Sequence, residues 1–325
     1  MSIALVFPGQ GSQSIGMLAA LGARYAPVVQ CFEQASQALG FDLARLVAEG
    51  PAERLNATEY TQPAMLVAGV ATWRAWREQG GGAPAVVAGH SLGEFSALVC
   101  AQALPFEAAV QLVRYRGQIM QHAVPEGSGA MAAILGLDDA DVEAACAEAS
   151  QGEVVEAVNF NSPAQVVIAG HAAAVERAMA LAQQRGARRA VRLPVSVPAH
   201  SRLMAEAAQQ LSRRLDEIEV QAPVYRYISA VDAREHSDPA DIRATLVRQL
   251  ASPVRWGDTV RALLALTPNL VECGPGKVLT GLNRRIERSA HCYALEDPES
   301  LSAAVAATAA TAATATSSAQ GSVHA

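Results

Sequence analysis

The sequence predicts an α/β fold, a parallel sheet flanked by helices, with a small second unit inserted into it. Three observations carry that expectation. Short apolar runs alternate with long helix-like segments, the pattern of parallel strands joined by helical crossovers. Two of those runs, Ser2 to Phe7 and Ala85 to Gly89, lead straight into glycine-containing turns. Between residues 125 and 198 the alternation changes to the order β-α-β-β-α-β, a ferredoxin-like split arrangement.

Taken in order, Ser2 to Phe7 forms a first strand, followed by the loop Pro8-Gly9-Gln10-Gly11-Ser12-Gln13 and by helices near 26 to 39 and 58 to 79. The β-branched run ending at Gly89 is a second strand. From Leu92 to Ala101 the chain has good helix formers and no proline, and a further helix runs from about Pro105 to His122. Pro125-Glu126-Gly127-Ser128-Gly129 marks a linker.

The small unit begins with the apolar run Ala130 to Leu135 and a helix opened by Asp138-Asp139. Two strands, Val154 to Phe160 and Gln165 to Ala169, flank the hairpin residues Asn161-Ser162-Pro163-Ala164. A helix from about Ala172 to Arg185 and a strand from Arg188 to Leu193 close it. The larger unit resumes with a helix near His200, strands at Val224 to Ile228 and Asn269 to Glu272, and the turn Gly274-Pro275-Gly276 into another helix. The expected division is therefore 1–124 with 199–306 as one discontinuous domain and 125–198 as the insert. Residues 307–325 are an Ala/Thr/Ser tail that can bury little, expected to be disordered or a frayed helical extension.

Composition narrows the function. The chain has 325 residues and is 51% hydrophobic, enough for a well-filled core. Five scattered cysteines without C-x-x-C spacing suggest neither a disulfide framework nor a zinc site. The net charge is −6 and the arginines are dispersed among acids, which gives no support for nucleic-acid binding. Met1 to Phe7 lacks the charge and length of a signal peptide, and no apolar run approaches the roughly 20 residues of a membrane span. A cytoplasmic protein is expected.

The chemistry begins at Gly89-His90-Ser91-Leu92-Gly93. A G-x-S-x-G string between strand and helix is a nucleophile elbow: the glycines leave room for a sharp bend that exposes the serine Oγ. Ser91 is thus the candidate nucleophile, and the following helix N-terminus points backbone N–H groups at its target. It needs a base. Of the seven histidines, His90 adjoins the elbow but points elsewhere and suits packing, while His122, His171, His236, His291 and His324 suit the surface. His200 sits where the strand-like Val195-Ser196-Val197 meets Pro198 and a helix, on the rim between the two units; base and helix-start residue are both open readings. The Gln10 loop could donate a backbone N–H to an oxyanion or be a plain turn. Arg114 and Arg116 lie about 200° apart on one helix, so at most one faces Ser91, where a guanidinium would bind a carboxylate or phosphate.

Five strings, in order and spacing, carry a resemblance: Phe7-Pro8-Gly9-Gln10-Gly11-Ser12-Gln13, Gly89-His90-Ser91-Leu92-Gly93-Glu94, Asn159-Phe160-Asn161-Ser162-Pro163, Val197-Pro198-Ala199-His200 and Gly274-Pro275-Gly276-Lys277-Val278-Leu279. From about residue 2 to 300 the chain resembles the malonyl-CoA:acyl carrier protein transacylases of type II fatty acid synthesis. The resemblance implies a hydrolase-like large domain with the ferredoxin-like insert, and transfer of malonyl from malonyl-CoA to the phosphopantetheine thiol of holo acyl carrier protein through a malonyl ester on Ser91. It implies His200 as base, oriented by the backbone carbonyl of Gln249; the amides of Gln10 and Leu92 as oxyanion hole; and Arg116 as partner of the malonyl carboxylate. It implies no metal or organic cofactor and a monomer.

One departure is Ala199, where many relatives have serine, which leaves room for a branch at the malonyl α-carbon. An acidic carrier protein would need a local basic patch on this acidic chain. Arg185, Arg188, Arg189 and Arg192, or Lys277, Arg284, Arg285 and Arg288, provide one, unless they are simply solvated faces. A discrete acyltransferase serving a polyketide synthase would share every one of these motifs.

Overall fold

The computed structural model describes residues 2–195 and 197–320. The nine strands among these described residues, in chain order, are β1 Ala4–Phe7, β2 Val86–Gly89, β3 Gly129–Leu135, β4 Val155–Ser162, β5 Gln165–His171, β6 Arg189–Arg192, β7 Arg226–Ile228, β8 Asn269–Glu272 and β9 His291–Ala294. Five form a parallel sheet in the order β7-β2-β1-β8-β9. Every residue of β1, β2 and β8 is buried, as a parallel sheet covered on both faces requires. Alternation divides β1 between two cores. Leu5 and Phe7 pack with the long helix Thr58–Glu78, and Ala4 and Val6 pack with Trp256, Val260 and Leu263 on the opposite face.

The other four strands form an antiparallel sheet in the order β4-β5-β3-β6, the ferredoxin-like arrangement the sequence predicts. Helices Asp139–Ser150 and Ala172–Gln184 cover one face. On the other face Met131, Val158, Val167 and Ala169 pack against Ala199. The hairpin is tighter than the four-residue loop expected. Asn161 and Ser162 belong to β4, and the turn is Pro163-Ala164, with Ala164 at φ 57°. The β4 edge is stitched to the larger unit by two backbone bonds, Phe160 N–H to Val254 O (2.9 Å) and Val254 N–H to Val158 O (2.8 Å).

Five helices and one strand lie outside the elements expected from the sequence: Ala19–Arg24, Leu43–Glu49, Ala52–Asn56, Pro239–Gln249, Trp256–Leu264 and β9. The first three are short, below the length at which periodicity identifies a helix. At the C-terminus a helix runs Pro298–Gln320 through most of the Ala/Thr/Ser segment, and residues 321–325 lie outside the described residues. All five cysteines are free and buried. Among the described residues no helix is long and apolar enough to cross a membrane.

Candidate active site

The elbow is built from steric necessity. Between the end of β2 and the helix Gly93–Cys100 the chain reverses at Ser91, whose φ of 51° lies in the left-handed region. A Cβ on Gly89 would sit 1.9 Å from the Gly93 carbonyl carbon, and one on Gly93 would sit 1.9 Å from the Phe7 carbonyl oxygen. No side chain fits at either place. The first-strand loop closes over the elbow: a Cβ on Gly9 would lie 2.6 Å from His90 O. Gly274, at φ 148°, brings the Gly-Pro-Gly turn against Pro8 of that loop. Three of the five sequence strings thus converge at the C-terminal edge of the parallel sheet, where such sheets place their ligands.

His200 meets Ser91. Its Nε2 lies 2.7 Å from Ser91 Oγ, although the residues are 109 positions apart. Its Nδ1 lies 2.9 Å from the backbone carbonyl of Gln249, which can only accept, so Nδ1 carries the proton and Nε2 is free to take the serine's. Burial, followed by the charge of Arg116, pushes the His200 pKa down to about 3, against the opposing pull of the Gln249 carbonyl. The ring is neutral at physiological pH.

Arg116 and Arg114 separate as helical spacing demands. Arg114 leaves the site, donating to Leu39 O at 3.0 Å and stacking over Phe41. Arg116 is fully buried beside Ser91. Its Nη1 donates to Gln62 Oε1 (2.8 Å) and its Nη2 to Gln249 Oε1 (2.9 Å) and to Ser91 Oγ (3.4 Å). Nε has no acceptor among the described residues. Burial lowers its pKa to about 10, while Glu94 pulls the other way, so the guanidinium stays charged at neutral pH. A buried cation whose oxygen contacts are all neutral is poised for an anionic ligand.

The backbone N–H groups of Gln10 and Leu92 donate to no acceptor among the described residues. They sit on the first-strand loop and at the start of the elbow helix, available to a developing oxyanion. Ala199 is half-buried between the main core and the β4-β5 face, next to His200.

Sequence reasoning assigned no role to four side chains found here. Gln62 and the Gln249 carboxamide grip Arg116, and the same carboxamide donates to Ser91 O at 3.0 Å. Asn161 Oδ1 lies 2.8 Å from His90 Nε2, tying the small sheet to the elbow. Glu94 is fully buried behind the site. Glu94 and Asn161 stood inside the quoted strings, but only their tertiary contacts give them partners. His236 corrects an expectation: rather than lying on the surface, it is buried between Asp232 and Asp241. His324 lies outside the described residues.

Residues 4–291 match the acyl transferase domain family. The malonyl CoA-acyl carrier protein transacylase of Salmonella typhimurium is 55% identical over 303 residues, covering 93% of this chain and 98% of that protein. A crystal structure of an acyl carrier protein S-malonyltransferase from Vibrio cholerae superposes with a TM-score of 0.91 at 54% identity, covering 93% of this chain and 99% of that one. A malonyl-transacylase solved in complex with its type II PKS acyl-carrier protein gives a TM-score of 0.93 at 50% identity, covering 94% and 99%.

Proposed function

Because the chain belongs to the malonyl CoA-acyl carrier protein transacylase family, we propose that Ser91 is the station at which malonyl passes from coenzyme A to the carrier protein. The protein is an acyltransferase that supplies malonyl-loaded acyl carrier protein to fatty acid synthesis. Ser91 Oγ attacks the thioester carbonyl of malonyl-CoA while His200 Nε2 takes its proton, and the oxyanion rests on the Gln10 and Leu92 amides. The intermediate collapses, the C–S bond breaks, and His200 returns the proton to the departing CoA thiolate. A malonyl ester remains on Ser91. The phosphopantetheine thiol of the carrier then attacks this ester, losing its proton to His200. Collapse regenerates the Ser91 hydroxyl with that proton and leaves malonyl on the carrier thiol, so the two half-reactions are ping-pong. The Gln249 carbonyl holds His200 in the tautomer both halves require.

The observation that carries this reading is Arg116 Nη2 at 3.4 Å from the nucleophile, charged, buried and without a carboxylate contact. A malonyl group esterified to Ser91 presents its free carboxylate there. Intact-protein mass after incubation with malonyl-CoA tests it. The expected result is a malonyl adduct that is absent in Ser91→Ala and is discharged by holo carrier protein but not by water; an adduct that survives Ser91→Ala overturns the assignment.

The carrier docks on the groove where the two basic clusters meet. Arg188 and Arg189 from the insert and Arg285 from the helix Val278–Ile286 line one concavity of about 370 Å³ with Ser162 and Gln165. Among the described residues Arg285 binds only Gln165, and neither Arg188 nor Arg189 has an acidic partner. By contrast Arg185, Arg192 and Lys277 are engaged with Glu148, Glu176 and Glu296. Reversing Arg188 and Arg285 together should raise KM for carrier protein and flatten its salt dependence, leaving KM for malonyl-CoA unchanged. A second reading, loading of a polyketide carrier, is favoured by the likeness to the transacylase solved with a type II PKS carrier. Relative kcat/KM on the two carriers decides between them.

A further inference from the structure

Glu94 is a fully buried acid that the transfer steps above do not use. Its carboxylate accepts from the Tyr227 hydroxyl, from Ser229 Oγ at 3.0 Å and from the Ala230 N–H at 3.0 Å. Burial prevails and holds its pKa above the usual carboxylate value, while the Tyr227 hydroxyl, the Gln249 carboxamide, the Ala230 amide and the Ser229 hydroxyl pull against it. Three donors converging on one buried carboxylate favour its charged form.

On the other side of the Gln249 carboxamide stands Arg116. Gln249 Oε1 accepts from Arg116 Nη2 at 2.9 Å, while its N–H end donates to Ser91 O and lies close enough to Glu94 to favour the ionised acid. Among the described residues Arg116 touches only neutral oxygens, those of Gln62, Gln249 and Ser91. Against burial, Glu94 pulls the Arg116 pKa back up. An amide between a cation and an anion, oxygen toward one and N–H toward the other, is polarised by both and couples them.

We propose that Glu94 is a positioning residue for malonyl specificity, the internal counter-charge of Arg116 acting through the Gln249 carboxamide. This rests on Arg116 as the carboxylate partner. A substrate carboxylate then enters a pocket already compensated, so its attraction is moderated and the malonyl ester is not held too tightly to move on to the carrier thiol.

Glu94→Gln keeps the shape and removes the charge. Free malonate, as inhibitor of malonyl transfer, should bind at least about fivefold more tightly to this variant, as expected when a like charge behind a buried anion site is removed. KM for malonyl-CoA should fall with it, kcat should fall because deacylation slows, and kcat/KM for acetyl-CoA should stay within about twofold. Should Glu94→Gln not fold, Tyr227→Phe removes one donor from the same carboxylate and is expected to strengthen malonate inhibition in the same direction by a smaller factor. Unchanged or weaker malonate inhibition in a folded Glu94→Gln, or in Tyr227→Phe where the first does not fold, overturns the proposal. Arg116→Ala is the control: malonate inhibition that survives it would mean that the carboxylate partner itself is misassigned.

Discussion

Ser91 Oγ and His200 Nε2 meet at 2.7 Å, and both residues hold left-handed backbone conformations, φ 51° and 66°. Neither is glycine, so each conformation costs free energy that the surrounding structure must hold in place. At Ser91 the hold is the contact of Gly89 with Gly93 and of Gly93 with Phe7; at His200 it is the backbone bond from His200 N–H to Leu250 O and the ring's bond to Gln249. Different parts of the fold thus hold Ser91 and His200 in these conformations.

Relief of that strain is measurable. A left-handed conformation costs an L-residue about 1–2 kcal/mol, and glycine's extra freedom in the unfolded chain offsets about 0.5–1 of it. Ser91→Gly should therefore be more stable than Ser91→Ala by roughly 0.5–1 kcal/mol, with both inactive. Denaturant midpoints of the two variants, compared at equal m-value, check this.

Gly93→Ala should do the reverse. Its Cβ would fall 1.9 Å from Phe7 O, on the backbone of the central strand, where neither side can give way. The expected loss is about 1–3 kcal/mol or more, together with loss of acylation. Thermal unfolding and malonyl-adduct mass on the same sample test both.

Arg116→Ala should narrow the preference for malonyl-CoA over acetyl-CoA by more than tenfold, since a hydrogen bond to a charged group contributes about 1.5–3 kcal/mol. The ratio of the two kcat/KM values is the measurement. An unchanged ratio would remove Arg116 from substrate selection.

The pH dependence carries two opposite signs. The folded pKa of His200 is depressed to about 3 from 6.5, so between those values the unfolded chain binds a proton that the folded site does not. Its contribution to stability is complete above about pH 6.5 and is lost as pH falls toward 3. His236 runs the other way. Burial opposes its charge, but the bonds to Asp232 and Asp241 outweigh burial and raise its pKa above 6.5. Its contribution is full below 6.5 and is lost as pH rises through the raised value. His200→Gln should flatten the acid side of the stability profile and His236→Gln the neutral-to-alkaline side. The neutral His200 also predicts no loss of kcat/KM from this ring between pH 8 and 5.

The legible parts were those dictated by local rules. The elbow could be read because the bend at Ser91 needs glycine at 89 and 93, and the insert because β-α-β-β-α-β order is written in periodicity and turn residues. The helix Pro239–Gln249 lies outside the expectation although Asp238 caps it and Pro239 opens it, because its buried residues Ile242, Thr245, Leu246 and Gln249 mix apolar with polar side chains. His236 was misplaced for the same reason: its polar neighbours suggested solvent, whereas Asp232 and Asp241 close around it.

By itself, then, the sequence determined the layered α/β architecture and the glycine-flanked elbow, since both follow from spacing along the chain, and its five ordered strings carried the resemblance to the family. Only the tertiary structure decided which arginine faces Ser91, that Gln249 serves through both its backbone carbonyl and its side chain, and that Glu94 lies buried behind Arg116. Those facts depend on burial and on contacts between residues up to 158 positions apart. The charge, proton and partner of a buried polar group are set by what packs around it, and local sequence does not encode that.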